Sequence, residues 1–141
     1  KVDYKIIKTV KDALEIPVIA SGDILSAPLA KKMFDETGCD GIAVARGALG
    51  NPWIFKEIDE FLKDGKITVR PDLKEIARTM LEHLDLCIDF YGEKFGVMIF
   101  RKFIGWYTKS LRKVRPLREK ASRAKTKEEI IKLTQEFFHP G

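Results

Sequence analysis

Apolar positions along the first third of the chain alternate between two periods. Val2, Ile6, Ile7, Val10, Ala13 and Leu14 recur at helical spacing and predict a helix over 2–14. Ile16-Pro17-Val18-Ile19-Ala20 is short and apolar throughout, which predicts a buried strand with Pro near its start. Ser21-Gly22-Asp23 ends it. Ser26 is placed to cap a second helix with Pro28 in its first turn, Leu29, Ala30, Met33 and Phe34 on its inner face, and Gly38 as its terminator. Gly41-Ile42-Ala43-Val44-Ala45 predicts a second buried strand, and Arg46-Gly47-Ala48-Leu49-Gly50 a loop. Pro52 opens a third helix, with Trp53, Ile54, Phe55, Ile58, Phe61 and Leu62 inward and Asp64-Gly65-Lys66 as the stop.

After Arg70-Pro71 only the helical period remains. Asp72 with Glu75 forms a capping-box-like start. Leu73, Ile76, Ala77, Met80, Leu81, Leu84 and Ile88 then make one stripe as far as Gly92. A second helix is expected from about Phe95 to Lys113, with Val97, Phe100, Phe103, Ile104, Tyr107 and Leu111 inside. A short helix begins at Pro116. Thr126 with Glu129 caps a last one carrying Ile130, Ile131, Leu133, Phe137 and Phe138.

Strands apolar on both faces and alternating with helices belong to a parallel sheet. Two such strands cannot bury both faces by themselves, and a complete barrel of this type needs about 200 residues or more. The expected fold is therefore α/β plus all-α: residues 1–63 form the C-terminal part of a (β/α)8 TIM barrel, 64–71 a linker, and 72–141 a small helical bundle. The chain opens on Lys1 without a starting Met, in keeping with a start partway through a longer protein.

The 141 residues, 45% hydrophobic and 33% charged, exclude a disordered tail, a fibre and a disulfide scaffold. No apolar run approaches the roughly 20 residues that cross a bilayer, and the first residues lack the apolar core of a signal peptide. Two cysteines, Cys39 and Cys87, and two histidines make no zinc spacing; no metal is expected, and reduced thiols fit a cytoplasmic protein. The net charge of +5 is unevenly spread. Residues 1–70 carry 11 basic and 11 acidic side chains, whereas 101–127 hold 11 basic residues and one acid, Glu119.

Ser21-Gly22-Asp23 and Ala45-Arg46-Gly47 each follow a predicted strand, 24 residues apart. In a parallel barrel, loops after consecutive strands open on one face, and the last two often build a phosphate site. Glycine permits close backbone approach, and Arg46 adds a fixed charge with fork geometry. Both loops are equally readable as ordinary strand-to-helix turns.

The wording of these segments resembles the tRNA-dihydrouridine synthases. Ile16-Pro17-Val18-Ile19-Ala20-Ser21-Gly22-Asp23-Ile24 is similar to one of their barrel strands with its loop. Thr37-Gly38-Cys39-Asp40-Gly41 and Ala45-Arg46-Gly47-Ala48-Leu49-Gly50-Asn51-Pro52-Trp53-Ile54-Phe55 are similar to the next. The Gly-Asn-Pro-Trp-Ile-Phe run is the most specific part. Arg101-Lys102 with Trp106-Tyr107 resembles a motif of their C-terminal helical domain. The resemblance implies an oxidoreductase that reduces the C5=C6 bond of uridine in tRNA, with FMN at the barrel mouth and NADPH as reductant. Carried over, the FMN phosphate contacts fall on Ser21, Gly22, Asp23, Ala45 and Arg46. Ser21 stands where Asn is usual and Ala45 where Gly is usual.

The family's proton-donating Cys lies on an earlier barrel loop, so no catalytic residue is expected in this chain. Cys39 precedes its strand and Cys87 sits near the bundle stripe; both read as packing residues. Lys5, His83 and His139 are not assigned to the family's flavin and substrate roles.

The basic stretch is the candidate tRNA surface, through Arg101, Lys102, Lys109, Arg112 and Lys113. On a helix running to Lys113, Lys102, Lys109 and Lys113 would share one face and Arg101, Thr108, Arg112 and Arg115 another. Such a surface suits RNA phosphates, although charge runs are also often only solvated faces. Trp106 and Tyr107 are candidates for base stacking, with core packing favoured for Tyr107. Two other readings stay open: an FMN-dependent barrel oxidoreductase acting on a small molecule, and a non-enzymatic RNA-binding module.

Overall fold

The computed structural model describes residues 2–67 and 69–138; His139 lies outside them. The chain divides into two compact units between Arg70 and Pro71.

In the first unit, α1 (Tyr4–Ala13) starts where the Asp3 carboxylate accepts the Lys5 amide at 2.9 Å. The following strand, β1, is Ile19–Ser21, later than the expected 16–20. Pro17 has no N–H to donate, and the Val18 amide donates instead to the Asp40 carboxylate at 2.7 Å, so ladder pairing begins only at Ile19. Lys11 Nζ reaches the same carboxylate at 2.7 Å. These two donors, the lysine foremost, hold the Asp40 carboxyl below the usual carboxylate range.

Helix α2 (Ala27–Thr37) carries Pro28 in its first turn. Ser26 occupies the N-cap position, but its hydroxyl makes no capping bond. At the other end Gly38 takes φ 66° and its amide closes onto Phe34 O at 2.9 Å. Strand β2 (Gly41–Ala43) pairs parallel with β1 in the register Ile19–Gly41, Ala20–Ile42, Ser21–Ala43. The expected loop at 46–50 opens as a 3₁₀ turn, Arg46–Ala48, before α3 (Ile54–Asp64).

Ala20, Ile24, Ala30, Met33, Ile54 and Ile58 lie in the core of this unit. Helix α2 packs against both α1 and α3. The inner face of α3 is narrower than expected: Ile54 and Ile58 are buried, whereas Phe55 is 55% and Leu62 43% exposed. On α1, Ile6 and Val10, one turn apart, are also exposed.

The second unit is helical. Helix α4 (Leu73–Tyr91) begins where Asp72 accepts the Glu75 amide at 2.8 Å. Its buried stripe runs through Ala77, Met80, Leu84 and Cys87, while Leu73 at its start is exposed. Helix α5 (Glu93–Tyr107) crosses α4 closely. A Cβ on Gly96 would lie 2.7 Å from Ile88 Cα and 2.8 Å from Cys87 O, so only glycine permits the approach. Helices α6 (Arg115–Ala121) and α7 (Lys127–Phe138) complete the unit. At α7, Thr126 Oγ1 accepts the Glu129 amide at 3.3 Å and the Glu129 carboxylate accepts the Lys125 amide at 2.6 Å.

One expectation fails here with consequences for the site. Helix α5 ends at Tyr107, not at Lys113. The Thr108 hydroxyl donates back to Ile104 O at 2.6 Å. The Arg118 guanidinium meanwhile binds the carbonyls of Gly105 and Thr108, at 3.2 and 2.8 Å, that further helix would need.

Candidate functional site

The pairing of β1 with β2 carries the two strand-end loops to the same edge of the sheet. Ser21 is paired with Ala43, and its hydroxyl donates to Ala43 O at 3.2 Å. Gly22-Asp23 follow β1 directly, and Ala45-Arg46 follow β2 after Val44. Ser21, Gly22, Asp23, Ala45 and Arg46 thus line one pocket of about 150 Å3, together with Ile24, Leu25, Ala43 and Gly47. Arg46 donates to the Asp23 carboxylate across it and is 74% exposed. Asp23 is held at φ 49°, a conformation that costs a side-chain-bearing residue energy.

Gly47, part of the expected loop but not among the expected phosphate contacts, also lines the pocket. A Cβ there would lie 2.1 Å from Ile24 O and 2.9 Å from Ile54 Cδ1. The second loop therefore lies with its backbone against the first, which gives the pocket its wall. The Arg46 and Gly47 amides open the 3₁₀ turn and have no backbone acceptor among the described hydrogen bonds. The pocket thus offers backbone donors and one exposed cation, a donor set suited to an anion.

Cys39 lies before β2, away from this edge, and is buried; Cys87 is buried on α4. Burial pushes the Cys87 thiol up, the opposite of activation. Among the described residues no group of His, Cys, Asp and Glu is placed to hold a metal, and no helix is long and apolar enough to cross a membrane.

In the helical unit the expected basic residues separate into two sets. Arg101 and Lys102 are on α5. Arg101 is half-buried, and its Nε is the one buried side-chain N or O without a partner among the described residues. Lys102 is exposed, with its ammonium 5.8 Å from the Phe103 ring centre. Lys109, Arg112 and Lys113 sit on the exposed turn between α5 and α6 and make no ion pair among the described residues. The helical faces expected for Lys102, Lys109 and Lys113, and for Arg101, Thr108, Arg112 and Arg115, do not exist. The helix has ended, Thr108 is buried, and Arg115 pairs with Glu119 on α6.

Tyr107 is 6% exposed and belongs to the core. Burial, helped by Cys87, pushes its phenol up to about 12. His83 Nδ1 lies 3.2 Å from Tyr107 Oη, and burial moves the imidazole below its usual pKa of 6.5. Trp106 is half-buried, edge-on to Phe103 at 5.0 Å.

A parallel β-α-β unit with its pocket at the carboxyl ends of adjacent strands, followed by an all-helical unit, defines an α/β protein with a helical appendage. Comparison with known proteins narrows this class. A dihydrouridine synthase (Dus) family profile matches residues 1–139. The tRNA-dihydrouridine synthase B of Pseudomonas syringae pv. tomato is 40% identical over 139 residues, covering 99% of this chain and 41% of that protein. Its counterpart in Xanthomonas axonopodis pv. citri is 40% identical over 136 residues, 96% of this chain and 41% of that protein. A probable tRNA-dihydrouridine synthase of Rickettsia conorii is 44% identical over 109 residues, 77% of this chain and 33% of that protein. The chain belongs to the dihydrouridine synthase family, and spans between 33% and 41% of the length of these relatives.

Proposed function

We propose that this chain is the C-terminal part of a cytoplasmic tRNA-dihydrouridine synthase, in which residues 1–63 close a TIM barrel and hold the phosphate of FMN, and residues 72–141 dock tRNA. The observation that carries the reading is the shared pocket of the two strand-end loops, with Arg46 at its mouth. The apolar residues left exposed on α1 and α3, and the open edges of the two-stranded sheet, suit further barrel repeats on either side.

The pocket fits a phosphate. Gly47 brings backbone amides within reach, Ser21 and Gly22 form the opposite wall, and Ala45 keeps its N–H beside a small methyl. Arg46 would bind the phosphate oxygens after leaving Asp23 or while bridging to it. FMN reduced by NADPH would supply the hydride for the C5=C6 bond of uracil, and the proton would come from an acid outside this chain. The chain's own residues thus grip the cofactor's anionic end and the nucleic acid, and leave the chemistry to the remainder of the barrel.

The turn residues Lys109, Arg112 and Lys113, with Arg101 and Lys102, would contact tRNA phosphates, positioning the substrate without reading its sequence. Both halves of the proposal are tested on the protein as isolated. Copurifying flavin and its loss in Arg46→Ala test the pocket. Binding of unmodified tRNA across a salt series, in the parent and in a Lys109→Gln/Arg112→Gln/Lys113→Gln variant, tests the appendage. A shallower slope of affinity against salt in the variant is expected; equal slopes, or retention of flavin by Arg46→Ala, would refute the corresponding half.

A further inference from the structure

Among the eleven basic residues of 101–127, Arg118 is half-buried with its guanidinium hydrogen-bonded to the end of the preceding helix. Its Nε donates to Thr108 Oγ1 at 3.0 Å, and its Nη2 donates to Thr108 O at 2.8 Å and Gly105 O at 3.2 Å. These acceptors are the end of α5, where the helix dipole favours a cation and the last carbonyls lack intrahelical donors. Thr108 is fully buried. Its hydroxyl donates to Ile104 O at 2.6 Å while accepting from Arg118, so both of its roles are used.

The turn that carries Lys109, Arg112 and Lys113 starts from this latch. Leu111 N donates to Thr108 O at 3.1 Å, the same carbonyl that Arg118 holds. Lys113 sits at φ 55°, a region that a side-chain-bearing residue enters only when its surroundings impose it. Asp23 and Lys113 are the two non-glycine residues with positive φ among the described residues. Three cations within five positions repel one another, and a flexible turn would splay them. The Arg118–Thr108 latch opposes that at one end of the turn, and the start of α6 fixes the other.

We infer that Arg118 and Thr108 are positioning residues for an RNA-backbone contact: they hold the 109–113 turn so that its cations meet phosphates pre-arranged, without touching RNA themselves. The inference rests on the proposed tRNA-binding role of the helical unit and adds that the shape of the turn, beyond its charge, sets affinity.

The test uses unmodified tRNA and the full chain, with Thr108→Ala, Arg118→Met and Arg118→Lys compared with the parent across a salt series. Circular dichroism first confirms that each variant retains the parent's helix content. Thr108→Ala removes no charge, yet is expected to weaken binding about three- to tenfold with an unchanged salt slope. Arg118→Met should do the same, again with unchanged slope, because Arg118 neutralises no phosphate. Arg118→Lys, which can still reach one carbonyl, should recover part of the loss and remains informative if Arg118→Met does not fold. Amide hydrogen exchange at 109–113 should quicken in both Thr108→Ala and Arg118→Met.

Parent-like affinity in Thr108→Ala overturns the inference. So does a slope reduced by about one phosphate's worth in Arg118→Met, which would make Arg118 a direct contact. Binding that survives neutralisation of all three turn cations also overturns it, whereas a parent chain that does not bind tRNA refutes the underlying tRNA reading instead.

Discussion

Asp23 and Arg46, 23 positions apart in the chain, form an ion pair across the mouth of a pocket that neither loop makes alone. The pair exists because Ser21 and Ala43 are register partners in a parallel ladder, which sends both loops off the same edge. Its carboxylate also occupies the guanidinium that would meet the proposed phosphate.

Replacing Asp23 with Asn is therefore expected to tighten FMN binding severalfold, while Arg46→Ala weakens it about tenfold or more. Because the pair is exposed, Asp23→Asn should shift the melting temperature by no more than about 2 °C. Flavin titration by fluorescence quenching, alongside thermal melts, checks both. Weaker binding in Asp23→Asn would assign the carboxylate a direct role.

Two glycines permit backbone contacts that any side chain would break, one in each unit. A methyl at Gly47 meets Ile24 O at 2.1 Å, and one at Gly96 meets Ile88 Cα at 2.7 Å. Gly47→Ala and Gly96→Ala are each expected to cost about 1–3 kcal/mol in urea denaturation, since backbone cannot move aside as a flexible side chain does. At Gly38 a Cβ meets nothing within 4 Å, so Gly38→Ala should cost only about 1 kcal/mol, from the left-handed conformation. Equal losses at all three would argue against tight loop and helix contacts.

His83 gives the helical unit a pH dependence of definite sign. Burial lowers its folded pKa below the usual 6.5. Between the two values the unfolded chain binds the extra proton, so stability is complete above about pH 6.5. It falls as the pH drops through that value and levels off beneath the folded pKa. Thermal melts from pH 8 to pH 5 should show this decline in the parent. His83→Gln should remove that component. A decline of the same size in His83→Gln would assign it to other groups.

Arg101 carries an unsatisfied buried Nε. An unpaired buried donor of this kind costs about 1–3 kcal/mol. Arg101→Met is accordingly expected to leave the melting temperature of the chain unchanged or raise it, while weakening tRNA binding. A fall in melting temperature would show that Arg101 supports the fold.

The one-dimensional pattern was enough for elements whose cause is local. Gly38, Gly65 and Gly92 end helices where their positions say they should, each with positive φ, because a residue without Cβ adopts that conformation at little cost. Asp72 caps α4 and Thr126 caps α7 because both bonds close within three residues. Likewise the short apolar runs at 16–20 and 41–45 identify β1 and β2, and Gly22-Asp23 and Arg46-Gly47 lie beyond them.

Tertiary contacts decided the rest. The strand after Pro17 starts late because Asp40, 22 residues away, takes the Val18 amide. Helix α5 stops at Tyr107 although its apolar period continues to Leu111, because Arg118 from the next helix claims the carbonyls at its end. That one long-range interaction turns an expected row of helical cations into a loop. Periodicity measures what a helix would bury, whereas the end of a helix depends on which distant donor reaches its last carbonyls first in free energy, and no local pattern contains that information.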